Sequence, residues 1–184
     1  LGEFYVAASD TGHGIGRDFS ATTIMNVRTG AVVADVFSDV LPVEEFAYHS
    51  VKLLELYKNP LWFPEDNEWG RVVISNAQGL GYKNFGYQDE KKTKIGWHTS
   101  EPTRLDLWGG LIPAINNRQI TIFNSQGLQH FYEVYRNVAK EGRIEAMSGH
   151  DDYPVAVGIC WAKRKEVKIS PVSYEPIHSL TFRR

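Results

Sequence analysis

The sequence contains a single cysteine and no hydrophobic run long enough to cross a membrane. Cys160 is the only cysteine among the 184 residues, which excludes an internal disulfide and a zinc site built from several thiolates. No stretch approaches the roughly 20 apolar residues of a membrane helix. The opening LGEFYV also lacks the basic segment of a signal peptide. We therefore expect a domain of the reducing cytosol without a membrane partner.

An excess of charge of either sign is also missing. The formal net charge is −2, whereas DNA-binding domains are commonly basic. Basic residues do cluster locally, with Lys91, Lys92 and Lys94 in one polar segment. Such clusters usually form solvated surfaces. The overall charge therefore neither supports nor excludes a nucleic acid partner.

Three familiar motifs are incomplete around the glycine-rich segment 8–20. Asp10-Thr11-Gly12 matches the aspartic protease signature, but no second copy exists to share the proton. The glycines at 12, 14 and 16 lack dinucleotide-loop spacing and precede β-prone residues instead of a helix. The chain also has no P-loop motif, which excludes a P-loop ATPase. A sugar-kinase-like phosphate hairpin stays open on this segment alone, although no convincing second phosphate loop follows.

The periodicity of the sequence predicts a mixed sheet flanked by helices. Strands are expected at 3–9, on both sides of a turn at 28–30, at 61–64 and at 119–123, and helices at 43–58, 68–81, 102–117, 126–138 and 150–165, with a β-hairpin over 82–99. An early hairpin followed by alternating strands and helices indicates an α/β domain. The last segment has two prolines and little periodicity. We therefore expect a domain over 1–165 and an extended C-terminal tail over 166–184.

Four acidic residues stand where they could meet at one edge of this sheet. Asp10 ends the first strand, Glu65 follows the strand at 61–64, and Asp151 and Asp152 open the last helix. Taken singly, each has an ordinary explanation as a turn residue, a helix-dipole partner or an N-cap. An acid that follows a strand and an acid at the start of a helix can meet at the same edge of the sheet. Gathered there, the four carboxylates would repel one another unless cations bound between them. Carboxylate oxygens select Mg²⁺ or Mn²⁺, and two such ions can drive phosphodiester cleavage.

Five segments, three of which carry these acids, resemble the nuclease domain of the large terminase subunit of tailed bacteriophages. The segments, in chain order, are SDTGHGIGRDFSA, FPEDNEWGRVVI, GLGYKNF, KIGWHTSEPTR and GRIEAMSGHDDYPVAVGI. Each is weak alone, but they occur in order, and the resemblance runs from about Tyr5 to Trp161. The resemblance implies a ribonuclease H-like fold, shared with Holliday-junction resolvases: a mixed central β-sheet flanked by α-helices, with an added β-hairpin.

The resemblance also implies the chemistry. Asp10, Glu65 and Asp152, with Asp151 beside them, would be the catalytic and metal-binding acids of a two-metal-ion endodeoxyribonuclease that uses Mg²⁺ or Mn²⁺. Its substrate would be double-stranded DNA, as viral concatemers cut during genome packaging. The implied partners are an N-terminal ATPase motor, which this sequence lacks, a portal protein and a small terminase subunit. The expected location is the cytoplasm of the infected bacterium, at the procapsid.

Other residues are candidates for DNA binding or accessory roles: Lys91, Lys92, Lys94, Arg104, His13, Asp18 and His150. Arg104 could equally form a cap or a salt bridge, and Asp18 could simply hold its loop. Asn67 is expected to support the turn that presents Glu65, and Gly70 to allow close packing. Two other functions stay open, namely a catalytically silent DNA- or portal-binding domain of the same fold and a junction resolvase or transposase. Retention of all the acids argues against the silent domain, and the insertion over 82–99 favours a terminase over a resolvase.

Overall fold

The computed structural model describes residues 3–14, 16, 18–140, 142–147 and 150–169, and within them a mixed sheet forms the centre of the domain. Its strands are β1 (Tyr5–Gly14), β2 (Asp18–Asn26), β3 (Ala31–Ser38), β4 (Leu61–Pro64) and β5 (Thr121–Ile122). The order across the sheet is β4-β1-β2-β3-β5. β1 is antiparallel to β2 and parallel to β4. This confirms the predicted α/β class and mixed sheet.

Helices cover both faces of the sheet. They are α1 (Val43–Leu56), α2 (Glu68–Gly79), α3 (Glu101–Asn116), α4 (Ser125–Tyr132) and α5 (Asp152–Lys163). Alternate side chains of β1 enter different clusters, because successive residues of a strand point to opposite faces. Val6 and Ala8 pack in the cluster that contains residues of α3 and α5, and Ala7 packs in the cluster with α1 and α2. β1 is therefore a central strand buried on both faces.

A buried group of hydroxyls fixes the sheet immediately before Asp10. The Trp62 indole donates to Ser9 Oγ at 2.8 Å, and Ser9 Oγ lies 2.7 Å from Thr22 Oγ1. Thr22 Oγ1 is in turn 2.8 Å from Ser50 Oγ. These contacts join β4, β1, β2 and α1, and they satisfy polar groups that would be costly to bury alone. The strand position next to Asp10 is consequently well determined.

The glycine-rich segment after Asp10 forms more strand than the sequence predicted. β1 continues to Gly14, and β2 begins at Asp18 after a register irregularity between Thr11 and Gly14. A Cβ at Gly12 would lie only 2.4 Å from the carbonyl oxygen of Phe19. Glycine permits this close approach of the two strands. The predicted loop is therefore largely a β-ribbon.

The predicted hairpin over 82–99 is correct only in outline. Tyr87 and Ile95 form one antiparallel bridge, and no regular strand is present there. The segment instead bonds to β4: the Trp62 amide donates to Asn84 at 3.0 Å, and the Trp97 amide donates to Pro64 at 2.8 Å. β4 is an edge strand whose polar groups need partners, so the segment covers that edge in addition to its own short pairing between Tyr87 and Ile95.

The added hairpin occurs later in the chain. The predicted helix over 126–138 is wrong in its second half, because α4 ends at Tyr132 and a strand follows. This strand, β6 (Val134–Asn137), pairs antiparallel with β7 (Arg143–Ala146). The residues that pair with β6 lie further along the chain, beyond a turn. The periodicity of a short segment does not reveal such pairing.

Most of the predicted tail lies outside the described residues. α5 confirms the helix expected at 150–165, and a single 3₁₀ turn follows over Arg164–Glu166. Residues 170–184 are not among those described. The predicted boundary after residue 165 therefore stays a prediction. Among the described helices, none has the length and apolar character of a membrane span.

Candidate active site

Asp10 and Glu65 are brought together where the parallel pairing of β1 with β4 ends. Asp10 lies in β1, and Glu65 directly follows β4, whose Pro64 pairs with Ser9. The Glu65 amide donates to the Ser9 carbonyl oxygen at 2.7 Å, which extends the parallel pairing by one residue. Both acids are only 8% exposed. The parallel strand pair thus buries two carboxyl groups side by side, as the sequence predicts.

Burial and neighbouring charge make this pair unfavourable when both carboxyls are ionised. Burial raises the pKa of Asp10 well above its usual range, and the charge and hydrogen bonding of Glu65 raise it further. The negative charges of Asp152 and Asp151 act in the same direction. Burial and the neighbouring negative charges destabilise the ionised form of Asp10. A bound cation would compensate for both effects.

Asp152 joins this cluster from the start of α5. It is half-buried, and burial raises its pKa to about 7. The charges of Asp151, Asp18 and Glu65 contribute to the rise, while a backbone hydrogen bond opposes it. The N-terminus of a helix normally favours a carboxylate, so the raised pKa reflects burial and the concentration of acids. The structure therefore brings Asp152 into electrostatic contact with Asp10 and Glu65.

Asp151 has a different partner. Its carboxylate forms an ion pair with Arg104, whose guanidinium also donates to the Ile144 carbonyl oxygen through Nε at 3.2 Å and Nη2 at 3.0 Å. Asp151 occupies the N-cap position of α5 but makes no side-chain cap hydrogen bond. Of the explanations that the sequence left open, side-chain capping by Asp151 is thus not observed, and the arginine binds its carboxylate instead. For Arg104, the structure shows the salt-bridge role that the sequence left open.

Asn67 holds Glu65 in place, as expected from the sequence. Its amide nitrogen donates to Glu65 Oε2 at 2.9 Å and to the Thr11 carbonyl oxygen at 3.1 Å. Its side-chain oxygen accepts from the Gly70 amide at 2.6 Å and caps α2. A Cβ at Gly70 would lie 1.8 Å from the Glu65 carbonyl oxygen. Gly70 is thus required for the close packing of α2 on the Glu65 turn.

The predicted lysine cluster is only partly beside the acids. The base of the 82–99 segment adjoins them, since Trp97 forms a bridge with Glu65. Lys92 instead lines a cleft of about 930 Å³ together with Phe4 and Tyr5, at the N-terminal end of β1. Asp10 lies five residues further along that strand. Lys92 therefore lines a cleft of its own with the start of β1, and the DNA-binding role of the three lysines stays a prediction.

The remaining accessory candidates, Asp18, His150 and His13, differ in their surroundings. Asp18 is exposed at the start of β2, and its charge contributes to the raised pKa of Asp152. The ring of His150 packs edge-on against Phe19 at 5.3 Å. The side chain of His13 lies outside the described residues. These positions neither establish nor remove the proposed accessory roles.

His130 is a buried polar residue that the sequence did not single out. It lies in α4, with its ring 4.7 Å from Phe19 and 5.0 Å from Phe37. Burial lowers its pKa. The His150 ring is 6.1 Å away. The periodicity of α4 indicates an inward-facing position for residue 130, but nothing in the sequence indicates that it lies beside residues 19 and 150.

The donor set suits a hard divalent cation, although it is not a preformed cage. Within the described residues, no three His, Cys, Asp or Glu side chains are already grouped closely enough to hold a metal ion. Asn67 binds Glu65 and Arg104 binds Asp151, so these two carboxylates already have polar partners. The acids that interact electrostatically offer only carboxylate oxygens, the ligands that Mg²⁺ and Mn²⁺ prefer. The residues present therefore fit such an ion.

Comparison with known proteins finds likeness in structure and none in sequence. No protein-family model and no curated protein matches the chain. The large terminase nuclease of thermophilic phage G20c with bound magnesium matches with a TM-score of 0.69 and 17% identity, over 88% of this chain and 82% of that one. The large terminase nuclease domain of Thermus phage P74-26 matches with a TM-score of 0.65 and 16% identity, over 88% and 80%.

A third solved structure is more distant in sequence. The K428A mutant nuclease domain of the large terminase subunit gp2 of bacterial virus Sf6, with manganese and beta-thujaplicinol, has a TM-score of 0.60 and 9% identity. The alignment covers 86% of this chain and 87% of that one. At these identities the likeness establishes only the fold. The nuclease domains of three different viruses share it. The chain shares its fold with these nuclease domains of phage large terminases.

Proposed function

We propose that this chain is a nuclease domain that cuts DNA with the help of Mg²⁺ or Mn²⁺. The observation that carries the proposal is the convergence of Asp10, Glu65 and Asp152 at the C-terminal edge of the sheet, in the fold of terminase nucleases. Three carboxylates of like charge, two of them buried, repel one another when ionised, and bound cations would relieve that repulsion.

In this proposal the three acids hold the metal and the surrounding residues set their geometry. Asp10 is central, because Glu65 and Asp152 both act on it. Asn67 orients Glu65, and the rigid β1 strand fixes Asp10. A pair of bound ions would activate water and stabilise the leaving oxygen of a phosphodiester. Sequence-independent cutting is the expectation, since no base-reading motif is evident.

The proposed biological setting is that of a terminase nuclease. The proposed substrate is double-stranded viral DNA, cut from concatemers during genome packaging in the cytoplasm of the infected bacterium. The proposed partners are an ATPase motor, a portal protein and a small terminase subunit. The solved structures with this fold support the proposal as terminase nucleases crystallised with magnesium or manganese.

The deciding experiment incubates the protein with supercoiled plasmid in millimolar Mn²⁺, Mg²⁺ or EDTA. We expect nicked and linear products with either metal and none with EDTA. A four-way junction and a plain duplex of equal length provide the comparison for a resolvase. Preferential cutting of the junction would replace the terminase proposal with the resolvase one. Binding of DNA without cleavage in either metal would favour the catalytically silent domain.

A further inference from the structure

Arg104 connects three elements next to the candidate acids. It lies in the first turn of α3, whose start is fixed by the capping box of Ser100 and Thr103. Its guanidinium donates twice to the Ile144 carbonyl oxygen of β7 and once to Asp151 at the start of α5. It also lies over the Trp108 ring, 5.8 Å from the centroid. A guanidinium held from several sides has little freedom to move.

The two members of the aspartate doublet therefore have different surroundings. Asp152 is influenced by the charges of Glu65 and Asp18, whereas Asp151 is ion-paired with Arg104. Asp151 is still close enough for its charge to act on both Asp10 and Asp152. If Arg104 released it, Asp151 would become a further uncompensated carboxylate beside the cluster.

We infer that Arg104 is a positioning residue, which holds the Asp151 carboxylate away from Asp10, Glu65 and Asp152 and so limits the number of carboxylates that face a bound cation. The inference rests on the proposed function, because it concerns cation binding by those acids. Loss of Arg104 would free Asp151 to act as an additional ligand. The cation would then bind more tightly, in a geometry that the three acids alone do not give.

A double-mutant cycle on Arg104 and Asp151 tests this directly. The four proteins are wild type, Arg104→Gln, Asp151→Asn and the double variant, each titrated with Mn²⁺ by calorimetry. We expect Arg104→Gln to lower the Kd for Mn²⁺ by about tenfold, the size expected for one added carboxylate in a partly solvated site. In the Asp151→Asn background the same substitution should have little effect. An arginine that acted only through its own positive charge would change the affinity equally in both backgrounds.

Thermal melts in EDTA give a readout that does not require metal. Arg104→Gln should lower the melting temperature, because it leaves Asp151 unpaired near other acids, and Asp151→Asn should restore part of the loss. Arg104→Lys keeps the charge but cannot reproduce the planar fork, so it should lie between wild type and Arg104→Gln. It also provides a folded variant if Arg104→Gln does not fold.

Arg71 offers the matched control. It pairs with Asp66, next to Glu65, but its side chain is 68% exposed. Arg71→Gln should leave the Mn²⁺ affinity within about twofold of wild type, since exposed pairs contribute little. Equal Mn²⁺ affinity of wild type and Arg104→Gln, or no coupling in the cycle, would overturn the inference. A wild-type protein that binds no Mn²⁺ would instead refute the proposed function, and the EDTA melts would still measure the coupling between Arg104 and Asp151.

Discussion

The side-chain amide of Asn67 donates a hydrogen bond to the Glu65 carboxylate at 2.9 Å, while its oxygen caps α2 through the Gly70 amide. One side chain thus begins a helix and orients a candidate metal ligand. The two roles use different atoms, since the nitrogen donates and the oxygen accepts. They can therefore be separated by substitution.

The first prediction separates those roles of Asn67. Asn67→Asp keeps the cap acceptor but loses the donor to Glu65 and adds a like charge beside it, so cleavage should fall sharply. Asn67→Ala loses the cap as well and should cost about 1 kcal/mol of stability. Plasmid cleavage and thermal melts on both variants provide the measurement. Normal cleavage by folded Asn67→Asp would show that the amide does not position Glu65.

The second prediction concerns Asp10→Asn, which should abolish metal-dependent cleavage. An amide has the shape of a carboxylate but lacks its charge and one oxygen ligand. Because burial and neighbouring acids raise the pKa of Asp10, ionisation at neutral pH destabilises the folded state. The variant should therefore melt at a slightly higher temperature than wild type in EDTA. Asp106→Asn, at an exposed position of α3, is the control and should change neither property.

A third prediction compares the aspartate doublet. Asp152 interacts with Asp10 and Glu65, whereas Asp151 is ion-paired with Arg104. Asp152→Asn should therefore reduce the cleavage rate to background, and Asp151→Asn should reduce it less. Initial rates at saturating Mn²⁺ are the measurement. A larger loss in Asp151→Asn would identify Asp151 as the direct ligand and reverse the assignment.

The fourth prediction uses two glycines of α2. A Cβ at Gly70 would clash with the Glu65 backbone, whereas a Cβ at Gly79 would meet nothing within 4 Å. Gly70→Ala should destabilise the protein by about 1–3 kcal/mol and displace Glu65, with loss of cleavage. Gly79→Ala should be neutral or stabilising by up to about 1 kcal/mol. Urea unfolding checks both values, and equal behaviour of the two variants would contradict the packing argument.

The fifth prediction concerns the lysines of the 82–99 segment. Lys92 lies over the Tyr87 ring and lines the distant cleft, so Lys92→Ala should leave DNA affinity and its salt dependence unchanged. The pair Lys91→Ala and Lys94→Ala should weaken binding and flatten the log–log salt dependence by about 0.9 for each phosphate that the protein no longer neutralises. Fluorescence anisotropy with a labelled duplex at several salt concentrations gives the slopes. An unchanged slope in the double variant would remove this segment from the DNA path.

Local sequence patterns were sufficient to predict that the two buried acids lie close together. Asp10 and Glu65 each follow a short apolar run that predicts a strand, and the C-terminal ends of parallel strands lie at one edge of a sheet. The helical periods of α1, α2 and α3 are equally local. The sequence by itself therefore determined the fold class and the convergence of Asp10 with Glu65. It also determined the support from Asn67, because an N-cap acts within three residues of its position.

Only the tertiary structure showed which partner each polar group binds. The segment over 82–99 has the pattern of a hairpin, and only the structure shows that it also bonds to the edge of β4, whose outer hydrogen-bonding groups need partners. Asp151 and Asp152 are adjacent and equivalent in sequence. Arg104, from a different helix, distinguishes them. Contacts between distant segments depend on packing geometry and on competition for charge, and neither is encoded in the spacing of residues along the chain.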